Sequence, residues 1–204
     1  PESRQHFIQA LALMNTPINY YINNAGINDF ALFSDQQDAM IERMMMVNVA
    51  YPLELIQQVI PLMSAVNPSQ IINIGSTFGS IGYPGYVSYC ASKFALRGAT
   101  EALAREYCTT AIKFRYFSPR ATSTAMNSTA VIQMNQKLGV QMDSPELVAE
   151  ELYNFLQRDQ QSYQVGYPEK IFVKVNQLLP HVVSGSIEKN ISTIQHYAKS
   201  CNQA

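Results

Sequence analysis

The sequence has few cysteines and few charged residues, and each scarcity excludes a class of protein. Its three cysteines, Cys90, Cys108 and Cys201, are odd in number and show no CxxC spacing, which argues against a disulfide framework or a zinc site. The net charge is only -1, and no basic cluster interleaves with aromatic residues. We therefore expect no nucleic-acid binding and no attraction to an anionic membrane, and we predict a small-molecule partner.

Long apolar runs are also absent. No apolar run reaches about 18 residues, so no membrane span is predicted. The opening segment PESRQHFIQA has neither the basic region nor the apolar core of a signal peptide, so a cytoplasmic location is the expectation. The chain has 204 residues, of which 47% are hydrophobic and 14% charged, a composition that favours one domain over residues 1–204 with a well-buried core.

Strand and helix patterns alternate along the chain. Strands are predicted at residues 18–23, 70–75 and 111–118, and helices at 2–14, 38–63, 87–109 and 144–158, the last with Ser144 as its N-cap. The helix at 38–63 should be divided or distorted near Pro52. This alternation is typical of an α/β domain with a parallel sheet. Residues 125–142, rich in Met, Val and Leu, follow a strand end as an irregular or weakly helical insert, which we interpret as a substrate lid.

Four polar residues form the candidate chemical centre. Tyr89 and Lys93 are four residues apart on a predicted helix, so their side chains share one face, and the ammonium of Lys93 should lower the pKa of Tyr89 from about 10 towards neutrality. Ser76 directly follows a predicted strand, and Asn48 lies on the preceding helix. Taken singly, each could be an ordinary turn or surface residue.

Together these residues carry a family resemblance. The stretch INIGSTFGSIGYPGYVSYCASKFALRG resembles the active-site segment of classical short-chain dehydrogenases/reductases, with the YxxxK motif at residues 89–93. Upstream, residues 23–26 match that family's NNAG motif, and Asn48 matches its active-site asparagine. Downstream, residues 118–124 are similar to the PGxxxT segment. Several motifs in the right order make a specific signal.

The resemblance implies a Rossmann-like, doubly wound parallel sheet and a hydride transfer between NAD or NADP and a carbon that bears a hydroxyl or carbonyl oxygen. Tyr89 would move the proton, Ser76 would hold the substrate oxygen, Lys93 would also bind the nicotinamide ribose, and Asn48 would position a relay water. Thr124 would contact the carboxamide. The remaining residues implied at the site are the cofactor contacts Asn24, Ala25, Gly26, Pro119, Ala121 and Thr122, and Met126 as a substrate contact beside Ser76 and Tyr89.

Two departures limit the resemblance. Arg120 stands where the family has glycine, so its guanidinium could reach an anionic substrate or cofactor phosphate, or could simply face solvent. The family's N-terminal strands and TGxxxGxG loop do not precede Pro1, so the preference for NAD or NADP is not readable. We expect the chain to belong to a longer polypeptide, and an intact mass of about 23 kDa would contradict this. Gly75, Gly79 and Gly82 lack the spacing of that loop and are interpreted as turn glycines.

Several alternatives stay open from the sequence. One is a non-catalytic binding or regulatory protein of the same fold, and another is an epimerase or dehydratase that reuses YxxxK. The apolar residues of the 125–142 insert suggest a lipophilic alcohol or carbonyl substrate, although they could equally pack a short helix. The resemblance to the family further implies a homodimer or homotetramer.

Overall fold

A four-stranded parallel sheet organises the molecule. The computed structural model describes residues 2–201, and its strands are β1 (Tyr20–Asn23), β2 (Ser69–Ile74), β3 (Ile112–Ser118) and β4 (Ser162–Gln164), in the order β1-β2-β3-β4. The first three strands confirm the sequence predictions to within two residues at either end. The sequence analysis missed β4 because its three residues, Ser-Tyr-Gln, carry no apolar run and are exposed or half-buried.

Helices connect and cover the strands. Their bounds are α1 (Glu2–Leu13), α2 (Asp38–Met45), α3 (Tyr51–Val59), α4 (Val87–Glu106), α5 (Thr129–Lys137), α6 (Pro145–Leu156), α7 (Glu169–Leu178), α8 (Pro180–Glu188) and α9 (Ile191–Cys201). The predicted N-cap of α6 is confirmed, since the Leu147 N–H donates to the side chain of Ser144. Over residues 2–201, none of these helices combines the length and the apolar character that crossing a membrane requires.

The predicted distortion near Pro52 is confirmed and has a defined form. Between α2 and α3 the chain makes one π-helical turn, Met46–Ala50, without leaving the helix. Proline has no N–H to donate to the carbonyl four residues earlier, so a regular α-helical ladder is interrupted at the turn that precedes it. Asn48 lies in this turn with only 1% of its surface exposed. The irregular turn thus directs a polar side chain into the interior.

The two faces of the sheet are buried by different helices. Ile71 of β2 and Phe114 of β3 are paired in register and pack with Ile56 and Val59 of α3. The next residue along β2, Ile72, lies on the opposite face in a cluster that includes Phe155 of α6. This alternation follows from the two-residue period of a strand, and it confirms that β2 is buried on both faces as a parallel strand should be.

A third apolar cluster joins the insert to the C-terminal helices. Val131 and Met134 of α5 are buried against Ile194 and Ala198 of α9. The expectation of an irregular or weakly helical insert at residues 125–142 is corrected in part, because nine of its residues form a regular helix that is part of the core. A partner helix supplies the apolar surface that the short α5 segment needs, and the local sequence does not contain that information. Its role as a substrate lid stays a prediction.

A buried arginine on β3 connects the sheet to the end of α6 and the turn that follows it. Arg115 of β3 is 2% exposed, and its guanidinium donates to the backbone carbonyls of Phe155, Arg158 and Gln160 at 2.8 Å each. It also donates to Oε1 of Gln70 on β2 at 2.5 Å. The last carbonyls of a helix have no partners within that helix, and here a strand residue donates to the Phe155 carbonyl at the end of α6 and to two carbonyls of the turn that follows.

Candidate active site

The candidate site lies beyond the carboxyl end of β2. Ser76 follows the strand by two residues and begins the short 3-10 helix Thr77–Gly79, where its Oγ accepts a hydrogen bond from the Phe78 N–H at 3.1 Å. Its side chain also lies near enough to the Tyr89 phenol to lower the pKa of that phenol. The structure therefore brings Ser76 near Tyr89, although the two are thirteen positions apart along the chain.

The ionisation of Tyr89 differs from the sequence expectation. Burial raises the pKa of the Tyr89 phenol, and the nearby Ser76 side chain opposes that rise. The predicted lowering of this pKa by Lys93 is corrected, since no contribution from the ammonium outweighs desolvation here. The physical reason is distance: Lys93 Nζ lies 5.8 Å from the centre of the Tyr89 ring, and it is directed to another acceptor.

Lys93 is a buried cation beneath the site. It is 4% exposed, and its Nζ donates to the carbonyl of Ile74 at the end of β2 at 2.9 Å. Burial lowers its pKa from 10.5 to about 8, because the charged form loses hydration that one carbonyl does not replace. Gly26 lies beside it, since a Cβ built on that glycine would be 3.5 Å from Lys93 Nζ and 3.3 Å from Asn48 Oδ1.

Asn48 connects three parts of the site. Its Oδ1 accepts from the Ile27 N–H and its Nδ2 donates to the Ile27 carbonyl, both at 2.8 Å. The same Nδ2 donates to Ser92 Oγ on α4 at 3.0 Å. These bonds hold the loop after β1 against the helix that carries Tyr89 and Lys93. The predicted positioning of a relay water by Asn48 stays a prediction.

A chain of buried polar side chains supports the loop after β1. Asn23 Nδ2 donates to Asn73 Oδ1 at 2.8 Å, and Asn73 Nδ2 donates to Thr100 Oγ1 on α4 at 2.9 Å. Thr100 Oγ1 in turn donates to the Leu96 carbonyl at 2.7 Å. The first residue of the NNAG motif is thus fixed through two strands to α4, whereas Asn24 and Ala25 are exposed at the rim.

The segment after β3 reaches the site through its backbone. The Thr77 N–H, next to Ser76, donates to the Pro119 carbonyl at 3.1 Å. Thr122 Oγ1 donates to the Arg120 carbonyl at 2.9 Å. Ala121 is half-buried, while Thr124 is exposed and Met126 is 47% exposed. The structure therefore joins the start of this segment to Ser76 and places its end on the rim.

One of the two sequence hypotheses for Arg120, a solvent-facing charge, is wrong. Its guanidinium forms a two-pronged ion pair with Asp143, with Nε–Oδ2 at 2.7 Å and Nη2–Oδ1 at 2.6 Å. It also donates to the Tyr167 carbonyl at 2.8 Å, and Glu169 lies 3.3 Å away. The side chain is only 14% exposed, and its reach towards an anionic ligand stays a prediction. Asp143 was missed because it is 23 residues distant in a segment without a motif.

Gly79, interpreted as a turn glycine, lies in the 3-10 turn Thr77–Gly79, and both it and Gly75 have a further role. A Cβ on Gly75 would lie 2.0 Å from Cζ of Tyr116, and one on Gly79 would lie 2.2 Å from its Oη. Neither glycine has a positive φ, since those angles occur at Gly85, Gly139 and Gly166. These two glycines therefore make room for the Tyr116 ring. Tyr116 was not among the residues predicted from the sequence, although two glycines near Ser76 are a signal for a large neighbouring side chain.

This geometry matches a known family. Residues 1–135, which include Ser76, Tyr89 and Lys93, match the family model described as short chain dehydrogenase. The chain belongs to the short-chain dehydrogenase family. The family resemblance drawn from the NNAG, Ser76 and YxxxK segments is thereby confirmed.

Two curated relatives are similar to part of this chain. The 3-ketodihydrosphingosine reductase of Dictyostelium discoideum is 36% identical over 109 residues, which are 52% of this chain and 33% of the relative. The 3-oxoacyl-acyl-carrier-protein reductase of Haemophilus influenzae is 32% identical over 128 residues, which are 63% of this chain and 52% of the relative. The chain thus spans a third to about half the length of these relatives.

A solved structure confirms the fold. A short chain dehydrogenase from Burkholderia cenocepacia, in complex with NADP, superimposes with a TM-score of 0.76 at 17% identity. The match covers 90% of this chain and 74% of that one. The predicted Rossmann-like parallel α/β architecture is therefore confirmed for this chain.

Proposed function

We propose that this protein is an NAD(P)-dependent oxidoreductase that interconverts an alcohol and a ketone or aldehyde, with Tyr89 as the general acid and base. The observation that carries the proposal is the proximity of the Ser76 side chain to the Tyr89 phenol, with the buried Lys93 one turn further along the same helix. A hydroxyl and a phenol that meet at the end of a parallel strand can hold one substrate oxygen between them. Membership of the family supports the same reading.

The residues around Lys93 fit a nicotinamide nucleotide. Among the hydrogen bonds of residues 2–200, the Lys93 ammonium donates to one acceptor, the Ile74 carbonyl, so two of its three N–H groups can serve a ligand. Gly26 leaves the space beside this ammonium free of a side chain. Vicinal ribose hydroxyls would satisfy both conditions. The residues proposed to hold the nucleotide are Asn24, Ala25, Gly26, Tyr89, Lys93, Pro119, Ala121, Thr122 and Thr124.

Each residue of the centre then has a distinct task. When bound, the nicotinamide ring would supply or accept the hydride. The Ser76 hydroxyl would orient the substrate oxygen, and the Tyr89 phenol would give a proton to that oxygen during reduction or take one during oxidation. Lys93 would bind the nicotinamide ribose with the N–H groups that the Ile74 carbonyl does not use. Asn48 would fix the loop at Ile27.

The surroundings of Tyr89 favour a lipophilic substrate. Phe78 and Tyr83 stack with ring centres 4.9 Å apart, and the rings of Phe78 and Tyr86 lie 6.4 Å and 6.0 Å from that of Tyr89. An aromatic wall beside the proton donor suits an apolar or acyl-chain-bearing ketone better than a polyol. The names of both curated relatives specify a 3-keto or 3-oxo group, which accords with this class. Met126, exposed on the rim, would contact the distal part of such a substrate.

Reduced-nicotinamide absorbance tests the proposal. Purified protein is assayed with NADH and NADPH against acyl ketones, small ketones and keto sugars, alongside the variants Tyr89→Phe and Tyr83→Phe. We expect turnover of an acyl ketone, a loss of at least about 10³-fold in Tyr89→Phe, and less than about threefold change in Tyr83→Phe, which keeps the neighbouring ring. Activity that survives in Tyr89→Phe would refute the role of the phenol.

The alternatives give different results in the same experiment. A binding or regulatory protein would take up the nucleotide, or fail to, without turnover of any substrate. An epimerase or dehydratase would convert its substrate with no net change in reduced nicotinamide. Either outcome would replace the oxidoreductase proposal.

A further inference from the structure

Tyr116 lies directly beneath the two elements that carry the proposed centre. It belongs to β3, is paired in register with Asn73, and is 4% exposed. The Ser76 N–H donates to its Oη at 3.4 Å, and the Oη donates to the Lys93 carbonyl on α4 at 3.4 Å. One phenol thus bonds the backbones of both Ser76 and Lys93.

We propose that Tyr116 is a positioning residue, which fixes the distance between the Ser76 loop and the turn of α4 that carries Tyr89 and Lys93 by hydrogen-bonding both backbones. This inference rests on the function proposed above. It gives a task in the site to a residue that neither the substrate nor the cofactor would touch.

The hydrogen bond of Ser76 differs from those of its neighbours. The N–H groups of Gly75 and Thr77 donate to the backbone carbonyls of Phe117 and Pro119, at 2.7 Å and 3.1 Å. The N–H of Ser76 donates to the Tyr116 phenol instead. The peptide that carries the Ser76 hydroxyl is therefore held by a side chain from the centre of the sheet.

The glycines near Ser76 show that the phenol is closely enclosed. Side chains at 75 or 79 would overlap the Tyr116 ring or its Oη, and a Cβ at Gly79 would also approach the Lys93 carbonyl at 3.0 Å. The loop and the helix therefore touch the phenol from two sides. The three groups form one rigid unit, in which the ring sets the spacing of the other two.

The phenol has the protonation state that this role needs. Burial raises the pKa of Tyr116 far above its ordinary value, so the hydroxyl keeps its proton at any working pH. A neutral phenol can accept from the Ser76 N–H and donate to the Lys93 carbonyl at the same time. A tyrosinate could not donate, and the α4 side of the unit would be lost.

The experiment compares Tyr116→Phe with Tyr163→Phe. The first variant keeps the ring and removes both backbone bonds. The second removes the Tyr163 hydroxyl from the neighbouring strand β4. That hydroxyl lies away from the site and donates to Oε2 of Glu151 at 2.7 Å. For each we measure kcat, KM, thermal unfolding and the amide hydrogen exchange of Ser76.

We expect Tyr116→Phe to lower kcat about tenfold, with KM for nucleotide and substrate changed less than about twofold, since sub-ångström misplacement acts on the chemical step. Exchange of the Ser76 amide should rise about tenfold or more. Tyr163→Phe should change neither quantity by more than about twofold. If the role of Tyr116 were purely structural, Tyr116→Phe and Tyr163→Phe would lower the unfolding temperature alike, and neither would change kcat.

A double variant tests the enclosure. Gly75→Ala should impair folding or kcat because of the overlap with the Tyr116 ring, and Tyr116→Ala in the same chain should restore folding without restoring kcat. If the wild type is active and Tyr116→Phe matches Tyr163→Phe in kcat and in Ser76 exchange, the positioning role is refuted. A wild type that turns over no substrate would instead refute the proposed function, and with it the catalytic meaning of Tyr116.

Discussion

Replacing Lys93 by methionine should stabilise the protein at neutral pH while abolishing its activity. The change removes a charge that is 4% exposed and keeps a flexible apolar side chain of similar length. Burial of this charge is unfavourable unless enough partners replace its hydration. In this structure the ammonium donates to the Ile74 carbonyl, and this single hydrogen bond replaces only part of the hydration that the ammonium loses on burial.

The magnitude follows from the pKa. The Lys93 pKa falls from 10.5 to about 8 on folding, which corresponds to a cost of about 3 kcal/mol when the lysine is charged in both states. Because the pKa of Lys93 is lower in the folded state, the unfolded chain binds more protons than the folded chain between pH 8 and 10.5. The free energy of unfolding therefore rises with pH in this range, as the cost of burying the charge diminishes. The cost is therefore complete below pH 8 and falls to about 1 kcal/mol near pH 9.5.

Urea denaturation of wild type and Lys93→Met at pH 7 and pH 9.5 measures this effect. The free energy of unfolding of the variant should exceed that of the wild type by about 1–2 kcal/mol at pH 7, once the lost bond to the Ile74 carbonyl is included. The difference should shrink by about 2 kcal/mol at pH 9.5. Comparing the two proteins at each pH cancels the titration of tyrosines and cysteine.

Lys113→Met is the matched control, because Lys113 lies on β3 with half of its side chain exposed. Its effect should stay within about 0.5 kcal/mol at both pH values. A Lys93→Met variant that is less stable than wild type at pH 7, or a difference that does not change with pH, would refute the account of Lys93 as an under-satisfied cation.

Two further predictions concern arginine contacts outside the centre. Arg115→Met should lower the free energy of unfolding by about 3 kcal/mol, since it removes the donor of three backbone carbonyls between residues 155 and 160, whereas Arg105→Met on the exposed surface should cost less than about 0.5 kcal/mol; a similar urea midpoint for both variants would contradict this. Asp143→Ala should cost about 2–4 kcal/mol because it leaves the Arg120 guanidinium without its two-pronged partner, and thermal unfolding that is unchanged would contradict that.

The sequence was informative where local pattern and structure depend on the same residues. Alternating strands and helices, the Ser144 N-cap and the distortion ahead of Pro52 all arise within a few residues, and each was predicted. The four-residue spacing of Tyr89 and Lys93 likewise placed both on one helix face. Such features are encoded locally, so one sequence is enough to find them.

The sequence was uninformative where distant segments supply the partner. The orientation of Lys93 towards Ile74, the ion pair of Arg120 with Asp143 and the overlap of Gly75 with Tyr116 each join residues 19 to 41 positions apart. Whether a charged side chain faces solvent, ligand or another charge is decided by these contacts. The pKa of Tyr89 was mispredicted for the same reason, because burial by the surrounding fold outweighs the nearby lysine.

One measurement tests the proposed proton transfer most directly. Nucleotide binding and turnover are determined on the same samples of wild type, Tyr89→Phe and Tyr83→Phe, by titration of reduced-nicotinamide fluorescence and by single-turnover absorbance. If Tyr89 is the proton donor, Tyr89→Phe still binds the nucleotide, weakened by no more than about tenfold through the lost nucleotide contact, and loses turnover by at least about 10³-fold. Turnover within tenfold of wild type in Tyr89→Phe would contradict the central claim.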